Sequence, residues 1–353
     1  MKKIKYGLIG FGGIAENRIA KEGFACDRSR FLPLKKAELA GACDLNPERR
    51  KAAEALGLKW YDSVDDLLAD KEIEAVFIAT GNSSHVPLAL RAFAAGKHVF
   101  SEKPMATKEE DALKAIETAE KCGLSYTVDH MMVYNAFNKK AARLTQSGKL
   151  GTVNDCCFHM ECITGNSKGW RCANPAEMGG PIGDMGSHCF YMAEFITGKK
   201  ITQVAASFLP KLMPINAEDG AYIAFFFEDG TRGSVKVAFS EPRGGMKSTI
   251  SNLGYEIYGS SAVLRSYGTM FQLSGHEDEI VRQRLEIDRF DGKVKSVRPG
   301  KIQNIYQSII ENHAASISRG TPLNCRDGYH NFLLCKAAYQ SAENGGKIIS
   351  IKE

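Results

Sequence analysis

A lysine held between an acid and a proline, in Phe100-Ser101-Glu102-Lys103-Pro104, is the first stretch of this chain suited to chemistry. It closes a short run, Lys97-His98-Val99-Phe100, that reads as a strand. Lys103 therefore falls at the C-terminal end of a strand, where open α/β sheets bind ligands. A lysine pinned between an acid and a proline there is not placed for solvation. A second stretch, Gly179-Gly180-Pro181-Ile182-Gly183-Asp184-Met185-Gly186-Ser187-His188, sets an acid and a histidine four residues apart. On a helix the two share one face. Their side chains could then converge on one substrate carbon with its hydroxyl. Taken alone, the pair reads better as a helix N-terminal acid and a polar histidine. A third stretch, Gly10-Phe11-Gly12-Gly13-Ile14-Ala15, matches G-x-G-x-x-G/A. Its first glycine permits a tight turn and its second lets a pyrophosphate approach the backbone. Ala15 is small enough for the helix to pack on its strand.

The elements around these stretches have the order needed to position them. Ile4 to Ile9 reads as a buried strand entering the glycine turn, and Ala37 to Cys43 as a second strand ending in Asp44. A carboxylate at that place suits the adenosine ribose hydroxyls and repels a 2′-phosphate, which favours NAD over NADP. Arg49 and Arg50 pull the other way, since they open the next helix and could reach a phosphate. Asp44 also reads as a turn or capping residue. A helix over 48–56, the apolar strand Glu74 to Thr80, a helix over 108–122 and a strand over 124–128 continue the alternation that implies a parallel sheet. The turn Thr80-Gly81-Asn82-Ser83-Ser84-His85 offers Asn82 as cap of a helix beginning near Val86. From Ile201 the pattern changes to period two. Strands are expected over 204–209, 221–227, 233–239, 254–258 and 262–266, with a hairpin turn at Glu228-Asp229-Gly230-Thr231. Helices over 302–318 and 328–343 close the chain. The expected fold is a Rossmann-type α/β domain over 1–128, with a parallel sheet. A second, α+β domain over 129–353 is expected to bind substrate and form oligomers, with a largely antiparallel open sheet covered by helices on one face.

Composition bounds the function from outside. The chain has 353 residues, 44% hydrophobic and 25% charged, the balance of a soluble globular protein. Its net charge of +5 is spread among interleaved acids, which argues against a nucleic-acid surface. None of the 10 cysteines has metal-type spacing, so no metal centre is expected. Cys156 and Cys157 are adjacent and should point to opposite faces of a strand. The N-terminus enters a strand at once, leaving no room for a signal peptide, and no apolar run nears the ~18 residues that span a bilayer. Reduced thiols without a leader fit the cytoplasm.

Glu102-Lys103-Pro104 after the glycine fingerprint, with Asp184 and His188 downstream, resembles the glucose–fructose oxidoreductase/inositol dehydrogenase (Gfo/Idh/MocA) family over nearly the whole chain. The resemblance implies an NAD(P)-dependent oxidoreductase acting on a hydroxyl-bearing carbon of a sugar, sugar acid or cyclitol. It implies that Lys103 meets the substrate hydroxyl, where its charge favours the developing alkoxide, that His188, with an ordinary pKa of ~6.5, is the general base, and that Asp184 orients His188 or holds a neighbouring hydroxyl. Cofactor contacts would come from Gly10, Phe11, Gly12, Gly13, Ile14, Asp44, Thr80, Asn82, His85, Glu102 and Lys103, with His85 structural rather than catalytic. Lys103, His130, Tyr134, Trp170, Arg171, Asp184 and His188 would line the substrate. Two departures stand out. Gly81 replaces a proline usual in relatives, and Met132-Val133-Tyr134-Asn135-Ala136-Phe137 lacks their Arg and Pro. Two other readings stay open: an NAD-dependent glycosidase working by transient oxidation and elimination, and a cofactor- or sugar-sensing regulator. A homodimer or homotetramer through the C-terminal sheet is expected.

Overall fold

The computed structural model describes residues 2–162, 169–240, 253–268, 274, 276 and 283–352, without the side chains of Trp170, Arg171 and Leu253. Two compact units emerge. The first comprises Met1–Met131, Ser274–Glu277 and Gln303–Tyr329, and the second Met132–Leu273, Asp278–Ile302 and His330–Glu353. These are not the consecutive stretches 1–128 and 129–353 expected above. The helix Ile305–Arg319 joins the first unit, because its side chains complete that unit's core.

The first unit is built on six parallel strands: β1 (Ile4–Ile9), β2 (Ala37–Cys43), β3 (Lys59–Trp60), β4 (Ala75–Ile78), β5 (His98–Ser101) and β6 (Tyr126–Val128). They lie in the order β3-β2-β1-β4-β5-β6. This is the doubly wound order of dinucleotide-binding sheets. All four residues of β4 are buried, as expected of a parallel strand covered on both faces. Tyr6, Phe24, Phe77, Phe100 and His313 form one aromatic cluster, with Phe77 and Phe100 ring centroids 4.5 Å apart. Burial pushes the His313 imidazole down to about 3, so it is neutral, and the Tyr6 hydroxyl is 2.8 Å from its Nδ1. Because every strand is parallel, the turns after β1, β2, β4, β5 and β6 open on one edge. The reactive residues of this unit collect there.

The second unit carries β7 (Val153–Glu161), β8 (Ile201–Phe208), β9 (Gly220–Phe227), β10 (Arg232–Ala238), β11 (Leu253–Gly259), β12 (Val263–Tyr267), β13 (Arg284–Asp288), β14 (Val294–Ser296) and β15 (Ile349–Ser350). Their order is β14-β13-β12-β11-β7-β10-β9-β8-β15. Pairing is antiparallel throughout the described residues except between β7 and β10, which run parallel. The hairpin turn forms as expected, with Phe227 N–H donating to the Thr231 carbonyl at 2.9 Å and Gly230 at φ +84°. Cys156 is buried and Cys157 half-buried, on opposite faces. Helix Ser187–Thr197 packs on the buried face, where Phe190 meets the Phe225 ring edge-on at 6.2 Å. Tyr222 of β9 alternates to the other face and is exposed. Among the described residues no helix is long and apolar enough to cross a membrane.

Candidate active site

The glycine turn leaves β1 with three glycines in three situations. Gly10 has φ +88°, and a Cβ there would stand 2.5 Å from the Ala79 carbonyl oxygen. Only glycine meets both demands. A Cβ on Gly12 or Gly13 would meet no protein atom within 4 Å. Those two therefore border open space, the cradle that a pyrophosphate requires. The helix that follows takes a π form over Ala15–Gly23. Glu22 anchors it from beneath, bonded to Arg18 at 2.9 Å and to Asn304 at 2.9 Å.

Asp44 turns back onto this loop. Its Oδ2 accepts the Phe11 N–H at 2.5 Å and its Oδ1 the Asn46 N–H at 2.8 Å. A carboxylate offers about four acceptor sites, so roughly two stay available for ribose hydroxyls. Arg49 is engaged in the same place. Its Nε donates to the Phe11 carbonyl at 2.7 Å, its guanidinium pairs with Glu16, and it lies 5.8 Å from the Phe11 ring centroid. Releasing it to a 2′-phosphate would break a hydrogen bond worth about 0.5–1.5 kcal/mol net. Arg50 is tied to Glu54 at 2.8 Å. Phe11 is fully buried, whereas Ile14 is 44% exposed.

The turns after β4 and β5 are joined by His85. This buried imidazole sits 2.9 Å from the Pro104 carbonyl through Nδ1 and 3.3 Å from the Thr80 carbonyl through Nε2. Gly81 has φ −67° and ψ 145°. That is the conformation proline imposes, so loss of the proline leaves the turn's shape intact. The expectation that Asn82 caps the helix is corrected. Asn82 is buried inside a 3₁₀ turn, Asn82–Ser84, and Ser84 precedes helix His85–Ala94. Thr80 Oγ1 and Ser84 Oγ close that turn at 2.6 Å.

Lys103 follows β5 half-buried, its N–H donating to Glu102 Oε2 at 3.2 Å, and its bond to Pro104 is cis. Glu102 N–H donates to the Ile78 carbonyl at 2.8 Å. The next turn brings a residue that sequence reasoning passed over. Asp129 is 1% exposed, and neither carboxylate oxygen has a hydrogen-bond partner among the described residues. Burial, helped by Glu102 and opposed by Lys103, raises its carboxyl well above the usual range. His130 beside it is buried too, and burial lowers it to about 4, so it is a neutral imidazole.

In the second unit, Asp184 and His188 project from one continuous helix, π-form over Ile182–Gly186 and α-form over Ser187–Thr197. The glycines at and just before its start are there for space. A Cβ on Gly183 would stand 1.9 Å from the Met178 carbonyl oxygen, and one on Gly180 2.1 Å from Glu218 Oε2. Asp184 is half-buried and His188 is 6% exposed. The end of β7 lies alongside, with Cys162 Sγ 4.0 Å from Met185 Sδ. There Glu161 is buried, and its Oε1 has no hydrogen-bond partner among the described residues. Tyr134 is half-buried with Lys139 Nζ 4.9 Å from its ring centroid. Asn135 caps helix Ala136–Gln146, accepting the Phe137 N–H at 2.8 Å and donating to Gln283 at 2.9 Å. Trp170 and Arg171 lie in the short helix Trp170–Ala173, but their side chains are outside the described residues. The structure thus groups Asp184 with His188, and Lys103 with Glu102, Asp129 and His130.

Known proteins match both units. Residues 4–130 match an oxidoreductase family with an NAD-binding Rossmann fold, and residues 138–265 match the GFO/IDH/MocA C-terminal domain. The chain is 27% identical over 216 residues to 1,5-anhydro-D-fructose reductase of Ensifer adhaerens, spanning 61% of this chain and 63% of that protein. That span is under two thirds of the relative's length. It is 26% identical over 363 residues to the uncharacterized oxidoreductase YrbE of Bacillus subtilis (strain 168), spanning 98% and 96% of the two. Among solved structures, aldose-aldose oxidoreductase from Caulobacter crescentus complexed with glycerol matches with a TM-score of 0.85 over 99% of this chain and 100% of that one. At 22% identity that likeness is one of fold.

Proposed function

The chain belongs to the Gfo/Idh/MocA oxidoreductase family, and from that premise we propose that it moves a hydride between NAD and a hydroxyl-bearing carbon of a sugar, sugar acid or cyclitol. The observation that carries this reading is the edge of the six-stranded sheet. There the glycine cradle, Asp44 and Lys103 all follow parallel strands. Gly10, Gly12 and Gly13 give the dinucleotide its backbone approach, and Asp44 has acceptors left for its ribose. Bound NAD supplies the hydride acceptor and NADH the donor. Lys103 holds the substrate hydroxyl and stabilises the oxygen as its negative charge grows. His188 takes the hydroxyl proton, and Asp184 orients His188 or a neighbouring hydroxyl. In the reducing direction His188 returns the proton. His130, Tyr134, Trp170 and Arg171 are the substrate contacts of this proposal.

All ten cysteines are free thiols, which supports a cytoplasmic site of action. The exposed face of the nine-stranded sheet supports a homodimer or homotetramer. The test is net NADH formation, followed by absorbance, on a panel of sugars and cyclitols. Stoichiometric NADH is expected from at least one member. Conversion of a glycoside with no net change in NADH would overturn the dehydrogenase reading in favour of a glycosidase.

Two binding predictions test the cofactor end. Asp44→Ser should narrow or reverse a wild-type preference for NAD by about tenfold or more, roughly 1.4 kcal/mol per factor of ten. Calorimetry giving equal dissociation constants for NAD and NADP in the wild type would contradict it. Gly12→Val puts a branched side chain into the cradle, where no protein atom stands in its way. The fold should survive while NAD affinity falls well over tenfold. Undiminished binding would mean that the dinucleotide lies elsewhere.

A further inference from the structure

The helix bearing Asp184 and His188 begins with N–H groups that no helical carbonyl can reach. In this chain a side-chain device takes them. Ile182 N–H donates to Glu218 Oε1 at 3.1 Å, and Gly183 N–H donates to the Tyr339 hydroxyl at 3.2 Å. Tyr339 in turn donates to the same Glu218 Oε1 at 2.7 Å. Gly180 is bare because the Glu218 carboxylate occupies the place of its Cβ.

The second half of the device is a ladder on helix Arg326–Glu343. Asn331, Cys335 and Tyr339 are spaced by four and share one face. Asn331 Nδ2 donates to the Ser187 carbonyl at 2.8 Å, and Cys335 Sγ lies 3.9 Å from the Ile182 carbonyl. The backbone is thus gripped at Ile182 and Gly183, just before Asp184, and at Ser187, just before His188. No motif in the sequence singles out Glu218, Asn331 or Tyr339, and the mechanism above leaves them unused.

We propose that Glu218, Tyr339 and Asn331 are positioning residues for the reaction, fixing the helical turn from which Asp184 and His188 project. The proposal rests on the assignment of those two residues to the chemistry. A misplacement of ~1 Å far from the reacting atoms can cost about 10²-fold in rate. The device also carries a titration. Burial raises the Glu218 carboxyl to about 7, although the Tyr339 hydroxyl, the Ile182 N–H and Lys211 all favour its charged form. Tyr339 faces the same carboxylate, and burial pushes its hydroxyl well above its usual range. The sign follows. The unfolded chain loses this proton near ~4.3, so Glu218 favours the folded state less and less as pH rises from there to about 7. Glu218→Gln should remove that slope, so its melting temperature should gain on the wild type across this window.

Tyr339→Phe is the deciding variant, because it deletes only the bridging hydroxyl. Its kcat should fall about tenfold to a hundredfold, while substrate KM, NAD affinity and circular dichroism hold. Glu218→Gln keeps an acceptor for both donors and should retain kcat within a few-fold at pH 8, whereas Glu218→Ala should lose as much as Tyr339→Phe. Unchanged kcat in Tyr339→Phe would overturn the proposal. So would a loss of kcat, affinity and melting temperature in parallel, the mark of a merely structural role. His188→Asn in the same assay separates the two levels. If it turns over normally, the site assignment itself fails. If it is crippled and Tyr339→Phe is not, only the positioning proposal fails.

Discussion

Replacing His188 with Asn should lower kcat by ~10²-fold or more, the usual contribution of a positioned general base. Asparagine keeps some hydrogen bonding and shape but has no titrating nitrogen. His188 is buried, and the Ser187 carbonyl beside it is held by Asn331, so the substitution should leave the helix in place. The wild-type rate of oxidation should rise with pH as the base loses its proton. In the variant that rise should flatten, provided chemistry limits the rate. NAD affinity, measured by calorimetry, should change little. Near-normal turnover with an intact pH profile would remove His188 from the chemistry and move the search to Asp184, Tyr134 and His130.

Lys103→Met should cost kcat ~10²-fold or more, because it keeps the side chain's length and deletes the charge that meets the developing alkoxide. Lys103 is half-buried after β5, and a methionine of like length should fill its place, so the loss should be one of rate rather than of fold. The double variant Lys103→Met/His188→Asn should be less impaired than the product of the singles, since groups acting as a unit are not additive. If NAD affinity falls in step with the rate, Lys103 positions the cofactor instead.

The first unit was legible because its signals are local. The glycine fingerprint, the acid at the end of β2 and Glu-Lys-Pro after β5 each sit beside the apolar strand that places them. The largely antiparallel second sheet was legible from period-two alternation, as in Ala221 to Phe227. What stayed hidden depends on distant partners. The parallel pairing of β7 with β10 joins residues far apart in the chain, with no local signal of its sense. Residues 303–329 return to the first unit through Tyr6–His313 and Glu22–Asn304 contacts, which have no local signature. Asp129 looks like any acid after a strand until its burial is known. Asn331, Cys335 and Tyr339 could be read as one helix face, but not what that face grips. Asn82 misled because a 3₁₀ turn, not a capped α-helix, follows Gly81.

The central claim is hydride transfer from a carbinol carbon with Lys103 at its oxygen. The most direct measurement takes a substrate found on the sugar and cyclitol panel, labels its carbinol carbon with deuterium, and weighs the NADH formed by mass spectrometry. The expected result is one deuterium per NADH, matched mole for mole by oxidised product, and formed at least ~10²-fold more slowly by Lys103→Met. Substrate turnover with no labelled NADH, or labelling at an undiminished rate in Lys103→Met, would contradict it.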